Sequence, residues 1–163
     1  MGFQVKLLTI DPGVHNMALA EWGLCGELEK AYNIRCGSEL CLGAQLTHWS
    51  RVGREISRMG RFHEFKVVGE MPVAYPGKQG MKVDANDLLH LAACAGAFYS
   101  GVAGCRTEIE LVLPAEWKAQ VPKDICRTRI LGALSSLEAE DIERGGDMHN
   151  VYDAIGIGLF KLG

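Results

Sequence analysis

The 163-residue sequence lacks most of the short signatures that announce a chemistry. Its six cysteines stand at positions 25, 36, 41, 94, 105 and 126, and none pairs with another at Cys-x-x-Cys spacing, which excludes a readable zinc ribbon or dithiol redox motif. No Gly-x-Gly-x-x-Gly follows a strand-like run, so a dinucleotide or kinase-type phosphate cradle is unsupported. His63-Glu64 does not begin a His-Glu-x-x-His motif, because position 67 is Val. The opening residues, MGFQVKLLTID, carry no secretory apolar region with a cleavage site, and Lys6 stands where a myristoylation pattern requires Ser or Thr. There is no internal repeat, no linker and no excess of one charge: 17 Lys and Arg face 20 Asp and Glu, a net of −3. Taken alone, that mild acidity argues against a nucleic-acid binder, whose usual footprint is basic.

What is present fits one domain over residues 1–163. Hydrophobic residues make up 48% and charged residues 23%, enough to bury a core and too apolar for disorder. The segment from Leu88 to Cys105 holds no Asp, Glu, Lys or Arg, yet it is mostly Ala and Gly with His90 and Ser100 inside. Such residues supply little energy for transfer into lipid, so the segment predicts a helix buried in protein rather than a membrane span. The expectation is a soluble, cytoplasmic protein with reduced structural thiols and no membrane partner.

Residues 3–10 form an apolar, partly alternating run ending at Asp11-Pro12-Gly13, the pattern of a strand entering a tight turn. Strands are also predicted over 17–22 and 28–35, giving an antiparallel meander. Over 44–61, Leu46, Trp49, Val52, Ile56 and Met59 share one face of a helix, while Arg51, Arg54, Arg58 and Arg61 share the other. A short strand, 66–70, ends in Glu70, and the Pro- and Gly-rich segment after it predicts a long loop. Asp84 or Asp87 then caps an apolar helix running to about residue 100. A strand over 107–113 is stopped by Pro114. There follow a helix over 123–136, an acidic and glycine-rich loop over 138–147, and a last helix over 149–162. This order predicts one α/β domain with a mixed sheet.

Three carboxylates stand out by position. Asp11 ends the first strand, Glu70 ends the fourth, and Asp153 lies in the first turns of the last helix. Strand ends and helix starts are where α/β sheets bind ligands. Carboxylates that cluster repel one another and stay ionised together only when cations neutralise them, and hard oxygen ligands select magnesium or manganese. Each residue also has an ordinary reading: a turn residue before Pro-Gly, a solvated strand end, a complement to the helix dipole.

The ordered set of motifs resembles the RuvC Holliday-junction resolvases of the RNase H-like (retroviral-integrase) superfamily. LLTIDPGVHNMALAEW resembles that family's first hairpin, VVGEMP its second acidic strand end, and MPVAYPGKQGMKVDANDLLHLAACAGAF its DNA-contacting loop and dimer-forming helix. PAEWKAQVPKD resembles the segment after its fifth strand, and HNVYDAIGIGLF its last helix. The resemblance implies an RNase H-like fold with a five-stranded mixed sheet, three antiparallel strands then two parallel, flanked by helices. It implies Asp11, Glu70 and Asp153 as catalytic metal ligands for two Mg2+ or Mn2+ ions per site. Two such ions clamp the attacking and leaving oxygens of a phosphodiester. The family usually places Asp or His three residues before its final acid; here Asn150 stands there, with His149 one residue earlier. On a helix both share the face of Asp153. Asn150, His149 and the more distant Asp147 all stay open as the fourth group, and Asn150 is equally a helix cap.

Further implications concern partners. Tyr75, Lys78 and Lys82 match the loop that contacts the junction centre, and Lys118, Lys123 and Arg127 stand where phosphates are held. The stripe of Arg51, Arg54 and Arg58 reads equally as a backbone-binding face and as a solvated one. The expected activity is that of a homodimeric endonuclease of phage type, nicking opposed strands of four-way DNA junctions to leave 5′-phosphate and 3′-hydroxyl ends. An isologous dimer matches the two-fold symmetry of a junction. Two other readings stay open: a broader nuclease for flaps, forks and branched DNA, and a non-catalytic branched-DNA-binding protein. Much of the overall acidity lies in 138–147, where five acids stand against Arg144.

Overall fold

A computed structural model describes residues 7–58, 65–73, 84–103, 108–119, 121–143 and 149–163, with the side chains of Leu137, Glu140, Asp141, Glu143 and His149 set aside. The sheet is built from β1 (Leu7–Asp11), β2 (Asn16–Trp22), β3 (Leu28–Arg35), β4 (Lys66–Glu70) and β5 (Glu108–Val112). Its order is β3-β2-β1-β4-β5. The first three strands form the expected antiparallel meander, and β1, β4 and β5 run parallel. The predicted mixed sheet is therefore present.

Alternation within β1 sorts the core into two layers. Leu8 and Ile10 face one side, where α1 (Leu42–Arg58) and α2 (Ala85–Val102) pack through Trp49, Val52, Ile56, Cys94, Phe98 and Val102. Leu7 and Thr9 face the other, covered by α4 (Lys123–Ala133), α5 (Ser136–Glu143) and α6 (His149–Leu162). A single-turn helix, α3 (Pro114–Trp117), leads from β5 towards α4. On the second side Thr9 accepts the Trp22 indole N–H at 2.9 Å and donates to the Ala154 carbonyl at 2.7 Å. This buried pair of bonds ties α6 to the middle of the sheet.

Glycine sets how closely α1 and α2 cross. A Cβ added at Gly53 would lie 2.4 Å from the Phe98 carbonyl oxygen, and one at Gly101 would lie 2.4 Å from that of Ser50. Both obstacles are backbone, so neither side chain could be accommodated without separating the helices. Asp84, of the two predicted caps, is the one used: its carboxylate accepts the Asn86 N–H at 2.8 Å.

Three sequence expectations need correction. The predicted loop over 138–147 is helical as far as Glu143, because Ile142 is buried in the second core and Glu138 accepts backbone N–H bonds from Ser135 and Leu28. The predicted 123–136 helix breaks at Leu134, whose backbone is extended, so two short helices replace one. Pro114 does not merely stop a strand; it opens α3 at the first helical position, where its missing N–H costs nothing. The predicted strand start at 3–6, the helix end at 59–61 and the loop over 74–83 lie outside the described residues. Among the described residues no helix is long and apolar enough to cross a membrane.

Candidate active site

The side-chain period of the sheet places the first two acids. Asp11 has the parity of Leu7 and Thr9, so it points to the α6 side. Glu70 shares parity with Val68, which lies in the same layer. The parallel register pairs Ile10 with Gly69, which sets Asp11 and Glu70 side by side at the carboxyl end of neighbouring strands. From α6, Asp153 completes the group. Asp11 is buried, and its carboxyl is held well above the usual carboxylate range, first by burial and then by the charges of Asp153 and Glu70. Lys118 and Lys123 pull in the opposite direction.

The cation among these acids is Lys118. Its Nζ lies 3.0 Å from Asp153 Oδ2 and 3.3 Å from Glu70 Oε2. Burial disfavours its charge, but the Glu70 and Asp153 carboxylates more than offset this and raise its pKa above that of an ordinary lysine. It also sits 4.6 Å from the centroid of the Trp117 ring, a cation–π contact. The sequence reading set Lys118 among phosphate-holding residues; the structure places it within the acidic cluster.

Glu70 is held from three directions. Trp117 donates its indole N–H to Oε2 at 2.8 Å, Lys118 approaches the same oxygen, and the Tyr99 hydroxyl donates to the Glu70 backbone carbonyl at 3.3 Å. Gly69 makes room for that hydroxyl, since a Cβ there would overlap the Tyr99 oxygen. Burial, and then Asp11 and Glu70, push the Tyr99 phenol far up, so it serves as a neutral donor. Neither Trp117 nor Tyr99 was singled out by the sequence reading. The one available signal was that half-buried tryptophans usually find an acceptor for their N–H.

The other expected residues divide clearly. Asn150 lies in α6 one turn before Asp153 and is half-buried. His149 lies in the same turn, with its side chain outside the described set; Asp147 is outside it altogether. Lys123 and Arg127 line a cleft of about 670 Å3 together with Tyr152 and Asp153, and the Arg127 guanidinium stacks 4.9 Å from the Tyr152 ring. These two cations therefore share a cleft with Asp153. Arg51, Arg54 and Arg58 are exposed on α1, across the sheet from α6, and do not. Arg51 pairs with Glu55, and Arg54 donates to the Ser50 hydroxyl. Tyr75, Lys78 and Lys82 lie outside the described residues.

The donor set fits a hard dication: oxygen ligands only, mutually repelling, and partly removed from water. Among the described residues no three such side chains are already drawn into a cage around one point. In the conformation described, the Lys118 ammonium supplies the positive charge that the carboxylates require.

Three antiparallel strands followed by two parallel ones, with helices on both faces and acids on β1, β4 and the last helix, define an RNase H-like fold. Its solved counterparts include Thermus thermophilus RuvC in complex with a Holliday junction substrate (TM-score 0.70, 15% identity, 94% of this chain and 90% of that one). A second Thermus thermophilus RuvC structure superposes at TM-score 0.60 with 15% identity, covering 94% and 91%. The yeast mitochondrial Holliday junction resolvase Ydc2 superposes at 0.65 with 10% identity, covering 98% and 78%. The chain thus has the fold of the RuvC-type resolvases. No protein-family model and no curated protein sequence matches it.

Proposed function

We propose that this chain is a metal-dependent DNA endonuclease that resolves four-way junctions. The observation that carries the proposal is the convergence of Asp11, Glu70 and Asp153 at one sheet edge around the Lys118 ammonium, a place a divalent cation could take. The likeness in fold to structures of Holliday junction resolvases, one bound to its junction, supports the choice of substrate.

On this reading Asp11, Glu70 and Asp153, with Asn150 or His149, hold two Mg2+ or Mn2+ ions. Bound there, the metals supply a nucleophilic water at neutral pH and stabilise charge on the leaving 3′ oxygen. The residues of the chain do the remaining work. Asp11 is fixed by β1, Glu70 by Trp117, and Asp153 by a helix whose next residue accepts the Thr9 hydroxyl. Lys123 and Arg127 flank the cleft beside Asp153, where a phosphate backbone would run. Hydrolysis leaves 5′-phosphate and 3′-hydroxyl ends. Two copies of the chain, related by a two-fold axis, nick opposed strands.

The test is a gel assay of four-way junctions, flaps and linear duplex with magnesium, manganese or chelator. Paired, metal-dependent nicks in the junction are expected, with Asp11→Asn retaining binding and losing cleavage. Equal cleavage of flaps would widen the substrate range to branched DNA. Full activity of Asp11→Asn with magnesium would refute the site.

A further inference from the structure

The metal ligands are expected from the arrangement of acids; what keeps Glu70 in place is not. The segment from Leu113 to Ala119 forms a small platform beside it. Glu116 accepts the Leu113 backbone N–H at 2.6 Å, closing the single turn of α3. Trp117 follows, and its ring lies on Gly156 of α6, where an added Cβ would stand 2.4 Å from Cζ3 of the indole. Ala119 has a left-handed backbone, φ 49°, directly after Lys118, and the Val121 N–H bonds back to the Lys118 carbonyl at 3.1 Å. The platform therefore delivers two donors in succession to Oε2 of Glu70: the Trp117 N–H at 2.8 Å and the Lys118 ammonium at 3.3 Å. Both donors meet the same oxygen, Oε2.

The two donors differ in kind. An ammonium among carboxylates occupies the electrostatic place of a divalent cation and competes with it. An indole N–H carries no net charge, so it orients the carboxylate without opposing a metal. The half-buried Trp117 ring makes its one hydrogen-bond-donating contact with a site carboxylate.

We propose that Trp117 is a positioning residue of the metal site. Its indole N–H fixes Oε2 of Glu70 and leaves Oε1 to the cation, and Gly156 is the space that lets the ring reach this position. The proposal rests on the metal-dependent reading given above. It predicts that Trp117→Phe, which keeps the ring and deletes the N–H, weakens Mn2+ binding by about ten-fold or more, the usual consequence of losing a hydrogen bond to a metal ligand. Calorimetric titration of the protein with Mn2+ alone measures this.

Gly156→Ala, which keeps the N–H but displaces the ring, should weaken Mn2+ binding in the same direction, and it serves where Trp117→Phe fails to fold. Mn2+ should quench wild-type tryptophan emission and quench Trp117→Phe much less, since Trp22 and Trp49 are buried in the two cores. In the cleavage assay, excess Mn2+ should restore much of the lost rate. Wild-type Mn2+ affinity in Trp117→Phe, beside a loss in Asp11→Asn, would overturn the role of Trp117 alone. A wild-type protein that binds no Mn2+ would overturn both it and the metal site.

Discussion

Replacing Lys118 with methionine tests whether the acids are organised around a missing cation. The substitution keeps most of the side-chain length and removes the charge together with its N–H donors. The ammonium lies 3.0 and 3.3 Å from its two carboxylates, and all three side chains are between 16% and 22% exposed. At an effective dielectric of about 20 each contact is worth roughly 5 kcal/mol of gross attraction. Most of that is offset by the cost of desolvating the ions, but deleting one partner of a buried pair leaves the other uncompensated, which typically costs 3–5 kcal/mol. Allowing for partial exposure, Lys118→Met should lose about 3 kcal/mol in chelator. For a chain of this size that is a fall in melting temperature of about 6–12 °C. Millimolar Mn2+ should recover much of this loss, because a ligand that binds only the folded state stabilises it by mass action, and the variant has no ammonium to displace. Thermal melting with chelator and with Mn2+ reads both effects. An unchanged melting temperature in chelator would refute the role of Lys118 as counter-ion. A large loss that Mn2+ leaves untouched would refute the idea that these acids hold a metal.

Other perturbations have equally definite signs. Asp11→Asn should stabilise the metal-free protein at neutral pH, because it removes a charge that burial, and then Asp153 and Glu70, disfavour. Since the folded pKa of Asp11 is raised, its penalty is absent below pH ~3.8 and grows as pH climbs through the raised value; urea unfolding of the two proteins should therefore coincide at low pH and diverge towards neutrality. A variant less stable than wild type at pH 7 in chelator would contradict this. Gly101→Ala gains about 1 kcal/mol of helix propensity but drives a methyl to 2.4 Å from the Ser50 carbonyl oxygen, so a net loss of roughly 1–3 kcal/mol is expected from chemical denaturation.

How far the sequence could be read depended on the range of the signal. The strands of the meander and α1 announce themselves by period, and Asp11, Glu70 and Asp153 by standing at element ends. Parity places the two strand acids: Asp11 lies two residues beyond Thr9, and Glu70 two beyond Val68, which puts both on the face where α6 brings Asp153. The failures are where local composition and tertiary context disagree. Residues 138–143 look like a solvated acidic loop, yet Glu138 spends its carboxylate on Ser135 and on Leu28, 110 positions away, and Ile142 enters the core. A one-turn helix such as α3 has no period to detect. The bond from Trp117 to Glu70 spans 47 residues, and nothing near either residue announces it.

The location of positive charge changes most between sequence and structure. Along the chain the cationic stripe of α1 is the conspicuous one, and a net of −3 leaves little charge elsewhere for a polyanion. The sheet separates these considerations. Its α1 face carries Arg51, Arg54 and Arg58 outward, remote from every carboxylate of the site. Its α6 face carries the acids, and there Lys118 is committed to Glu70 and Asp153, while Lys123 and Arg127 border the cleft beside Asp153. If a phosphodiester is cut at Asp11, Glu70 and Asp153, the cations nearest it are Lys118 and those of α4, whereas the arginines of α1 lie on the other face of the sheet. The carboxylates and the cations that border them roughly balance, so on the metal-dependent reading a bound dication would turn that edge net positive towards a phosphate. Metal and DNA binding should then reinforce each other, since each offsets the charge that the other brings.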